Sequence, residues 1–160
     1  MSLAVGVIGT GVMGAEHARL LRCATNGAHL AAVCDPDAGR ATLAAQGAAV
    51  FTDAHALINS DQVQAVVIAS PDASHAEYAL ACLAAGKPVL CEKPIAATAA
   101  EGLAIVQAEA ALDRRLVTVG FMRRFDPAYV EMHAARTTGA IGAAVLLHNV
   151  HRNLSAPDWF

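Results

Sequence analysis

The chain has 160 residues, 56% of them hydrophobic and 16% charged, and a net charge of -3 at pH 7. This length and apolar content suit one folded domain with a buried core and exclude a disordered chain. The weak negative charge and the absence of a basic stripe exclude nucleic acid and anionic membrane surfaces as expected partners. We also expect no membrane span and no secretory leader, because no apolar run is long enough and no basic segment precedes one.

Short apolar runs alternate with helical patterns along the chain, which is typical of βαβ units in a parallel sheet. The predicted strands cover 3–8, 29–34, 49–51, 65–69, 88–91 and 116–120, with helices between and after them. Asp53 and Asp126 are predicted helix N-caps, and Ser74–Glu77 and Thr98–Glu101 are predicted capping boxes. The predicted fold class is therefore α/β, a Rossmann-type doubly wound parallel sheet.

The first predicted strand leads into Gly9, Gly11 and Gly14, at the spacing G-x-G-x-x-G. Gly9 would permit a tight turn, Gly11 the close approach of a pyrophosphate, and Gly14 the packing of a helix against the strand. Val12 and Met13 would open that helix, whose unpaired N–H groups attract an anion. Since such a motif also arises by chance in sequence rich in Ala and Gly, it indicates a phosphate-bearing ligand without identifying it.

Asp35 ends the second predicted strand, about 20 residues beyond the glycines, where a carboxylate can accept hydrogen bonds from an adenosine ribose. Its alternative role is that of a helix cap or turn residue before Pro36. A carboxylate here would repel a ribose 2′-phosphate, so the predicted cofactor is NAD rather than NADP. Arg40 is the nearby cation that could weaken this preference.

Two later segments follow predicted strands and so reach the edge where open α/β sheets bind ligands. Ser70 and Pro71, with His75 just beyond them, could contact the ribose and nicotinamide of the cofactor, although His75 could instead only pack. Lys93 could bind a substrate hydroxyl and lower the barrier to proton removal. The alternatives for Lys93 are an ordinary solvated lysine or an ion partner of Glu92.

The last part of the chain changes character. Arg123 or Arg124 could hydrogen-bond a polyol or a carboxylate substrate, and either could instead be structural. Residues 143–153 alternate in polarity and predict a strand on which His151 and Asn153 share a face. An apolar strand of this kind needs partners. We therefore expect residues 1–122 to form an NAD-binding Rossmann domain and residues 123–160 to begin a truncated C-terminal α+β domain for substrate binding and oligomerisation.

The four cysteines are widely spaced and form no C-x-x-C pair. Three of them lie in apolar runs, where a buried thiol acts as a small hydrophobic side chain. This pattern fits a reducing cytoplasm and predicts no metal site.

Together, the glycine motif, Ser74-His75 and the segments 86–94 and 120–126 resemble the Gfo/Idh/MocA oxidoreductases, and within that family the inositol dehydrogenases. The resemblance covers essentially the whole chain. It implies an N-terminal Rossmann domain, a C-terminal domain built on a large open sheet, and NAD-dependent oxidation of a secondary alcohol of a cyclitol or sugar to a ketone. It also implies a polyol or sugar substrate and a homo-oligomer when full length.

The resemblance further implies roles for single residues. Lys93 would contact the substrate beside the nicotinamide, with a cis peptide bond to Pro94, and Glu92 would belong to the cofactor site. Arg123, His151 and Asn153 are candidate substrate-binding residues. Because the proton-relay Asp and His of the family lie beyond this segment, we expect the isolated chain to bind NAD and to oxidise inositol very poorly.

Two other classes of protein share part of this pattern. A non-catalytic dinucleotide-binding module or redox sensor would keep every cofactor residue. A methyltransferase that uses S-adenosylmethionine also has a glycine-rich first turn and an acidic residue after the second strand, but it would not account for Lys93–Pro94 or for the segment around Arg123.

Overall fold

The structure is a computed structural model that describes residues 2–150, and it contains one six-stranded parallel sheet flanked by helices. The strands are β1 (Leu3–Ile8), β2 (Ala28–Cys34), β3 (Ala49–Phe51), β4 (Ala65–Ile68), β5 (Val89–Cys91) and β6 (Val117–Val119). Their order in the sheet is β3-β2-β1-β4-β5-β6, and every neighbouring pair is parallel. The predicted α/β Rossmann-type sheet is confirmed, because this order is the doubly wound arrangement.

The helices connect the strands and mostly begin at the predicted caps. They are α1 (Val12–Cys23), α2 (Ala38–Ala45), α3 (Ala54–Asn59), α4 (His75–Ala84), α5 (Ala99–Ala110) and α6 (Pro127–Thr137). Asp53 and Asp126 accept hydrogen bonds from amides of the first turns of α3 and α6, and Thr98–Glu101 forms a complete capping box on α5. These three predictions are confirmed.

The capping box predicted at Ser74–Glu77 is wrong. A short 3₁₀ turn over Asp72–Ser74 precedes α4, so the chain already has helical dihedral angles at Ser74 and its hydroxyl caps no amide of α4. The hydroxyl donates instead to the Pro71 carbonyl at 2.8 Å, and the Glu77 carboxylate pairs with His55 at 2.8 Å. Ser and Glu at the right spacing form a capping box only where the N-cap backbone is extended.

The sheet is covered on both faces, which explains the unbroken apolar runs of its central strands. Successive residues of β2 point to opposite sides, so Ala32 and Cys34 join one buried cluster while Val33 joins the other. Every residue of β4 is buried. The sheet therefore holds the ends of β1, β2, β4 and β5 in fixed relative positions.

The chain divides into two compact units, Met1–Phe121 and Met122–Phe160. In the second unit, the strand predicted over 143–153 does not form in its described part, since 143–150 has no regular secondary structure. A strand exists only through ladder hydrogen bonds to a neighbour, and the described part of this unit contains no second strand. His151 and Asn153 lie outside the described residues. None of the helices described is both long and apolar enough to pass through a bilayer.

Candidate functional site

The order of the strands creates a crevice at the carboxyl edge of the sheet. The chain moves outward from β1 through β2 to β3 and then returns to β4 on the other side of β1. The connections that follow β1 and β4 therefore run in opposite directions along the sheet, and ligands of open α/β sheets bind at such a point. Gly9, which follows β1, lies against the backbone of Ser70, since a Cβ on Gly9 would approach the Ser70 Cα to 2.6 Å.

The three glycines of the first turn have different reasons to be glycine. Gly9 has φ +84°, and a Cβ on Gly14 would collide with the carbonyl oxygen of Gly9. Gly11 has an ordinary φ of -64°, and a Cβ there would meet nothing within 4 Å. The fold of the chain thus explains Gly9 and Gly14 but not Gly11. The open space over Gly11 fits the close approach of a pyrophosphate.

The first turn of α1 borders this space. Val12 and Met13 are 90% and 51% exposed, and neither a side-chain cap nor an acidic residue occupies the N-terminal end of the helix. The free amides and the helix dipole favour an anion at this position. The residues present therefore fit the phosphates of a dinucleotide.

Asp35 lies at the end of β2, beside the glycine turn, and is only 4% exposed. Its Oδ2 accepts hydrogen bonds from the Thr10 amide at 2.8 Å and the Thr10 hydroxyl at 2.9 Å. Its Oδ1 accepts from the Asp37 amide at 2.9 Å and from Arg40 at 3.1 Å. Burial opposes its charge, but the three bonds from Thr10 and Asp37 and the positive charge of Arg40 prevail and hold the pKa of Asp35 below its ordinary value.

The alternative that Asp35 caps a helix is excluded, because Asp37 caps α2 by accepting from the amides of Gly39 and Arg40. Asp35 does make a turn contact with Asp37, and it also ties the glycine turn to the end of β2. Thr10, which provides that tie, is a residue that the sequence analysis missed. The signal available was its position as the polar residue inside the glycine motif.

The segment that bears Lys93 follows β5 at the same edge of the sheet. The peptide bond between Lys93 and Pro94 is cis, as predicted, and the Lys93 side chain is exposed. Glu92 forms its ion pair with His17 of α1, with 2.9 Å between His17 Nε2 and Glu92 Oε1. Among the described residues, Glu92 therefore pairs with His17 and not with Lys93.

The partner of Glu92 was also missed by sequence analysis. The side chains of His17 and Glu92 are 22% and 16% exposed, and the two residues are 75 positions apart in the chain. On the other side of the carboxylate lies Gly120, where a Cβ would come within 3.1 Å of Glu92 Oε2. No local pattern signals a contact of this separation, because only the sheet brings α1, β5 and β6 together.

His75 lies at this edge of the sheet, where its ring is buried. It is 1% exposed, its Nδ1 lies 2.6 Å from the Pro94 carbonyl oxygen and its Nε2 lies 2.8 Å from the Ser70 carbonyl oxygen. Burial and these two contacts leave no ring nitrogen free, which favours the packing alternative for His75 over a cofactor contact. Ser70 and Pro71 remain at the crevice, where Pro71 is exposed.

In the second unit, Arg123 is engaged within its own neighbourhood. Its guanidinium lies 2.7 Å from the Asp126 carboxylate and 5.1 Å from the centre of the Tyr129 ring. These contacts join Arg123 to the N-cap residue and to the first turn of α6. They agree with the structural alternative for one of the two arginines.

Known proteins resemble this chain along nearly its whole length. Residues 3–121 match a protein family described as an oxidoreductase family with an NAD-binding Rossmann fold. Inositol 2-dehydrogenase 2 of Saccharopolyspora erythraea is 54% identical over 98% of this chain and 47% of its own length. Inositol 2-dehydrogenase of Rubrobacter xylanophilus is 53% identical over 94% of this chain and 44% of its own length. The chain thus spans about half the length of the curated relatives it matches.

Solved structures give the same picture. The myo-inositol dehydrogenase of Lactobacillus casei in complex with NAD(H) and myo-inositol superposes with a TM-score of 0.85 at 35% identity, covering 89% of this chain and 43% of that one. The scyllo-inositol dehydrogenase of the same organism, with bound NAD(H) and scyllo-inositol, superposes with a TM-score of 0.84 at 28% identity over 89% and 43% of the two chains.

Proposed function

This chain belongs to the Gfo/Idh/MocA oxidoreductase family, and we propose that the protein oxidises a secondary alcohol of a cyclitol or sugar to a ketone, with hydride transfer to NAD. One observation carries the proposal. Three features lie at one edge of the sheet, each just after the carboxyl end of a parallel strand. They are the glycine turn after β1, Asp35 after β2 and Lys93 after β5. A dinucleotide and a reacting alcohol can therefore be held side by side there.

The cofactor end has residues suited to NAD. The amides at the start of α1, near Val12 and Met13, would hold the pyrophosphate, and the open side of Gly11 would admit it. Asp35, kept ionised by its hydrogen bonds, favours a ribose with free hydroxyls over one with a 2′-phosphate. When bound, NAD supplies the hydride acceptor, and the protein supplies position and charge.

Lys93 would act on the substrate. Its ammonium is exposed at the edge of the sheet and can donate a hydrogen bond to the substrate hydroxyl. A positive charge at this oxygen favours loss of the hydroxyl proton as the hydride leaves the carbon. The relatives named inositol 2-dehydrogenase, and the neighbours that hold myo-inositol or scyllo-inositol, support a cyclitol as the substrate.

The remaining parts of the proposal concern organisation. Residues 1–122 would form the NAD-binding domain, and residues 123–160 would begin the domain for substrate binding and oligomerisation. Arg123, His151 and Asn153 would bind substrate from that second part. The protein would act as a homo-oligomer, without nucleic acid or membrane partners. It would be located in the cytoplasm, and its free cysteines agree with that reducing compartment.

The test combines binding and turnover. NADH fluorescence titration of this chain should give saturable binding, and the full-length gene product should form NADH with at least one member of a panel of myo-inositol, scyllo-inositol and glucose. Lys93→Met should lower kcat by about 100-fold or more, with the Kd for NADH within about threefold, while Lys93→Arg keeps the charge and should retain more activity. NADH binding without turnover of any polyol would identify a non-catalytic dinucleotide-binding module instead.

A further inference from the structure

We propose that His75 is a positioning residue that sets the spacing between the two loops of the reactive end, the loop after β4 with Ser70 and the loop after β5 with Lys93. The proposal rests on the function proposed above. It assigns His75 no contact with cofactor or substrate. It gives the residue instead the task of holding the cofactor side and the substrate side of the site at a fixed separation.

The contacts of the imidazole are unusual for a packing residue. His75 is the first residue of α4 and is 1% exposed. Its two ring nitrogens contact carbonyl oxygens of two different loops, that of Pro94 at 2.6 Å and that of Ser70 at 2.8 Å. A carbonyl oxygen only accepts, so each contact is a hydrogen bond where the ring nitrogen bears a hydrogen. Either ring nitrogen can be the donor, so the ring is placed to bridge the two loops.

The bond to Pro94 acts on Lys93 through the backbone. Pro94 follows Lys93 directly, so its carbonyl is a fixed point on the C-terminal side of the lysine. On the N-terminal side, the Glu92 amide donates to the Ile68 carbonyl at 2.9 Å, and the Glu92 carboxylate binds His17. The Lys93 side chain is exposed between these points. Its direction is therefore set by what holds its neighbours.

The bond to Ser70 acts on the cofactor side. The Ser70 backbone packs against the glycine turn so closely that a Cβ on Gly9 would lie 2.6 Å from the Ser70 nitrogen. A shift of the Ser70 loop would therefore move a wall of the crevice beside the first turn of α1. Misplacement of reacting groups by about 1 Å can cost about 100-fold in rate. His75 is thus placed where a small change would alter both cofactor binding and chemistry.

The two bonds can be separated by substitution. The side-chain amide nitrogen of Asn occupies nearly the position of Nδ1 of His, and that of Gln nearly the position of Nε2. His75→Asn therefore keeps the donor to Pro94 and loses the donor to Ser70, whereas His75→Gln does the reverse. Each variant is the control for the other, because both replace the ring with an uncharged amide of similar polarity.

The two variants should affect different quantities, one kcat and the other the Kd for NADH. In the full-length gene product, His75→Gln should lower kcat by about tenfold or more while the Kd for NADH changes by less than about twofold. His75→Asn should raise the Kd for NADH by about fivefold while kcat falls by less than about threefold. The same pair of changes at His55, whose ring pairs with Glu77 rather than with either loop, should leave kcat and Kd unchanged. If His75 served folding alone, both variants should have a lower Tm, and they should not differ in which of kcat and Kd they change.

The outcomes separate the two proposals. If wild-type protein neither binds NADH nor oxidises a polyol, the proposed function fails. If wild-type protein does both, but the Asn and Gln variants have equal kcat and equal Kd, the positioning role is overturned. Should either variant unfold, NMR of ¹⁵N-labelled wild-type protein gives the answer. A slowly exchanging ring N–H signal from His75 is expected, and a ring with no protected N–H would contradict the inference.

Discussion

The two ends of the candidate site are built in different ways. The adenosine end, consisting of Gly9–Gly14 and Asp35, is shaped by backbone atoms in contact and by a carboxylate that is 4% exposed. The reactive end, consisting of the Ser70 loop and Glu92–Pro94, is held by side-chain contacts of His17 on α1 and of His75 at the start of α4. At Gly9 and Gly14 the first end has no room for an added Cβ, whereas the second end depends on bonds that can be removed one at a time.

This difference teaches where substitutions should be severe and where they should be graded. Backbone atoms in contact cannot move apart without shifting a strand or a helix, so overpacking there damages the fold. A single side-chain hydrogen bond contributes about 1 kcal/mol net. We therefore expect the adenosine end to fail as a unit and the reactive end to lose function in steps.

The largest effect is expected at Gly14. In Gly14→Ala the new Cβ collides with the Gly9 carbonyl oxygen, so the protein should lose about 3 kcal/mol or more of unfolding free energy and bind no NADH. Urea denaturation and NADH fluorescence measure the two effects. Gly11→Ala is the matched control, because its Cβ meets nothing in the chain and its φ is -64°. It should keep wild-type stability and still weaken NADH binding by about tenfold or more. Equal stability losses in both variants would break the comparison.

The next effect is expected at Asp35. Asp35→Asn removes the charge that faces Arg40 and puts an amide nitrogen where an acceptor is needed, so it should cost about 2 kcal/mol of unfolding free energy at pH 7. NADH should also bind more weakly. Denaturation midpoints at neutral pH, with Asp37→Asn as a more exposed neighbour for comparison, measure the difference. An unchanged midpoint would remove the claim that this carboxylate holds the turn.

The same residue gives a pH dependence with a definite sign. Its pKa is lowered in the folded protein, so the unfolded chain takes up the proton first. The stability from Asp35 is complete above the unfolded pKa of about 3.9 and is lost as the pH falls below that value toward the folded pKa. The unfolding free energy of wild-type protein should therefore drop more steeply between pH 5 and pH 3, as rough bounds, than that of Asp35→Asn. Parallel slopes would contradict the assignment.

A smaller effect is expected at the reactive end. His17→Ala removes the partner of Glu92, which lies between His17 and Gly120, and should cost about 1 kcal/mol while lowering kcat more than it changes the Kd for NADH. His17→Gln restores a donor at the position of Nε2 and should recover most of kcat. Steady-state kinetics with a fixed polyol measure this, and a failure of Gln to rescue would point to packing rather than hydrogen bonding.

The smallest perturbation is chemical labelling of the cysteines, which probes both ends of the site without a mutation. Burial raises the pKa of Cys34 to about 11 and those of Cys82 and Cys91 to about 12, and Cys23 is exposed. Iodoacetamide at pH 8 should therefore label Cys23 in the native protein and all four thiols in urea. Mass spectrometry of peptides reads the result. Native labelling of Cys91 but not Cys34 would show that the reactive end opens more often than the adenosine end.

Much of the fold was predictable because its signals are local. Each strand was predicted within one residue of its observed bounds, since buried parallel strands are apolar runs with clear ends. Caps at Asp53, Thr98 and Asp126 followed from side chains that bond amides a few residues away. The error at Ser74 arose because a preceding 3₁₀ turn, set by the Ser70–Pro71 loop, changed the backbone that a cap requires.

By itself, the sequence determined the sheet, the glycine turn and the position of the acidic residue after β2, because these depend on neighbours along the chain. Only the tertiary structure decided that Thr10 binds Asp35, that His17 rather than Lys93 pairs with Glu92, and that the ring of His75 contacts the carbonyl oxygens of Ser70 and Pro94. The physical reason is distance along the chain. A hydrogen bond between residues brought together by strand order leaves no periodic or local trace in the sequence.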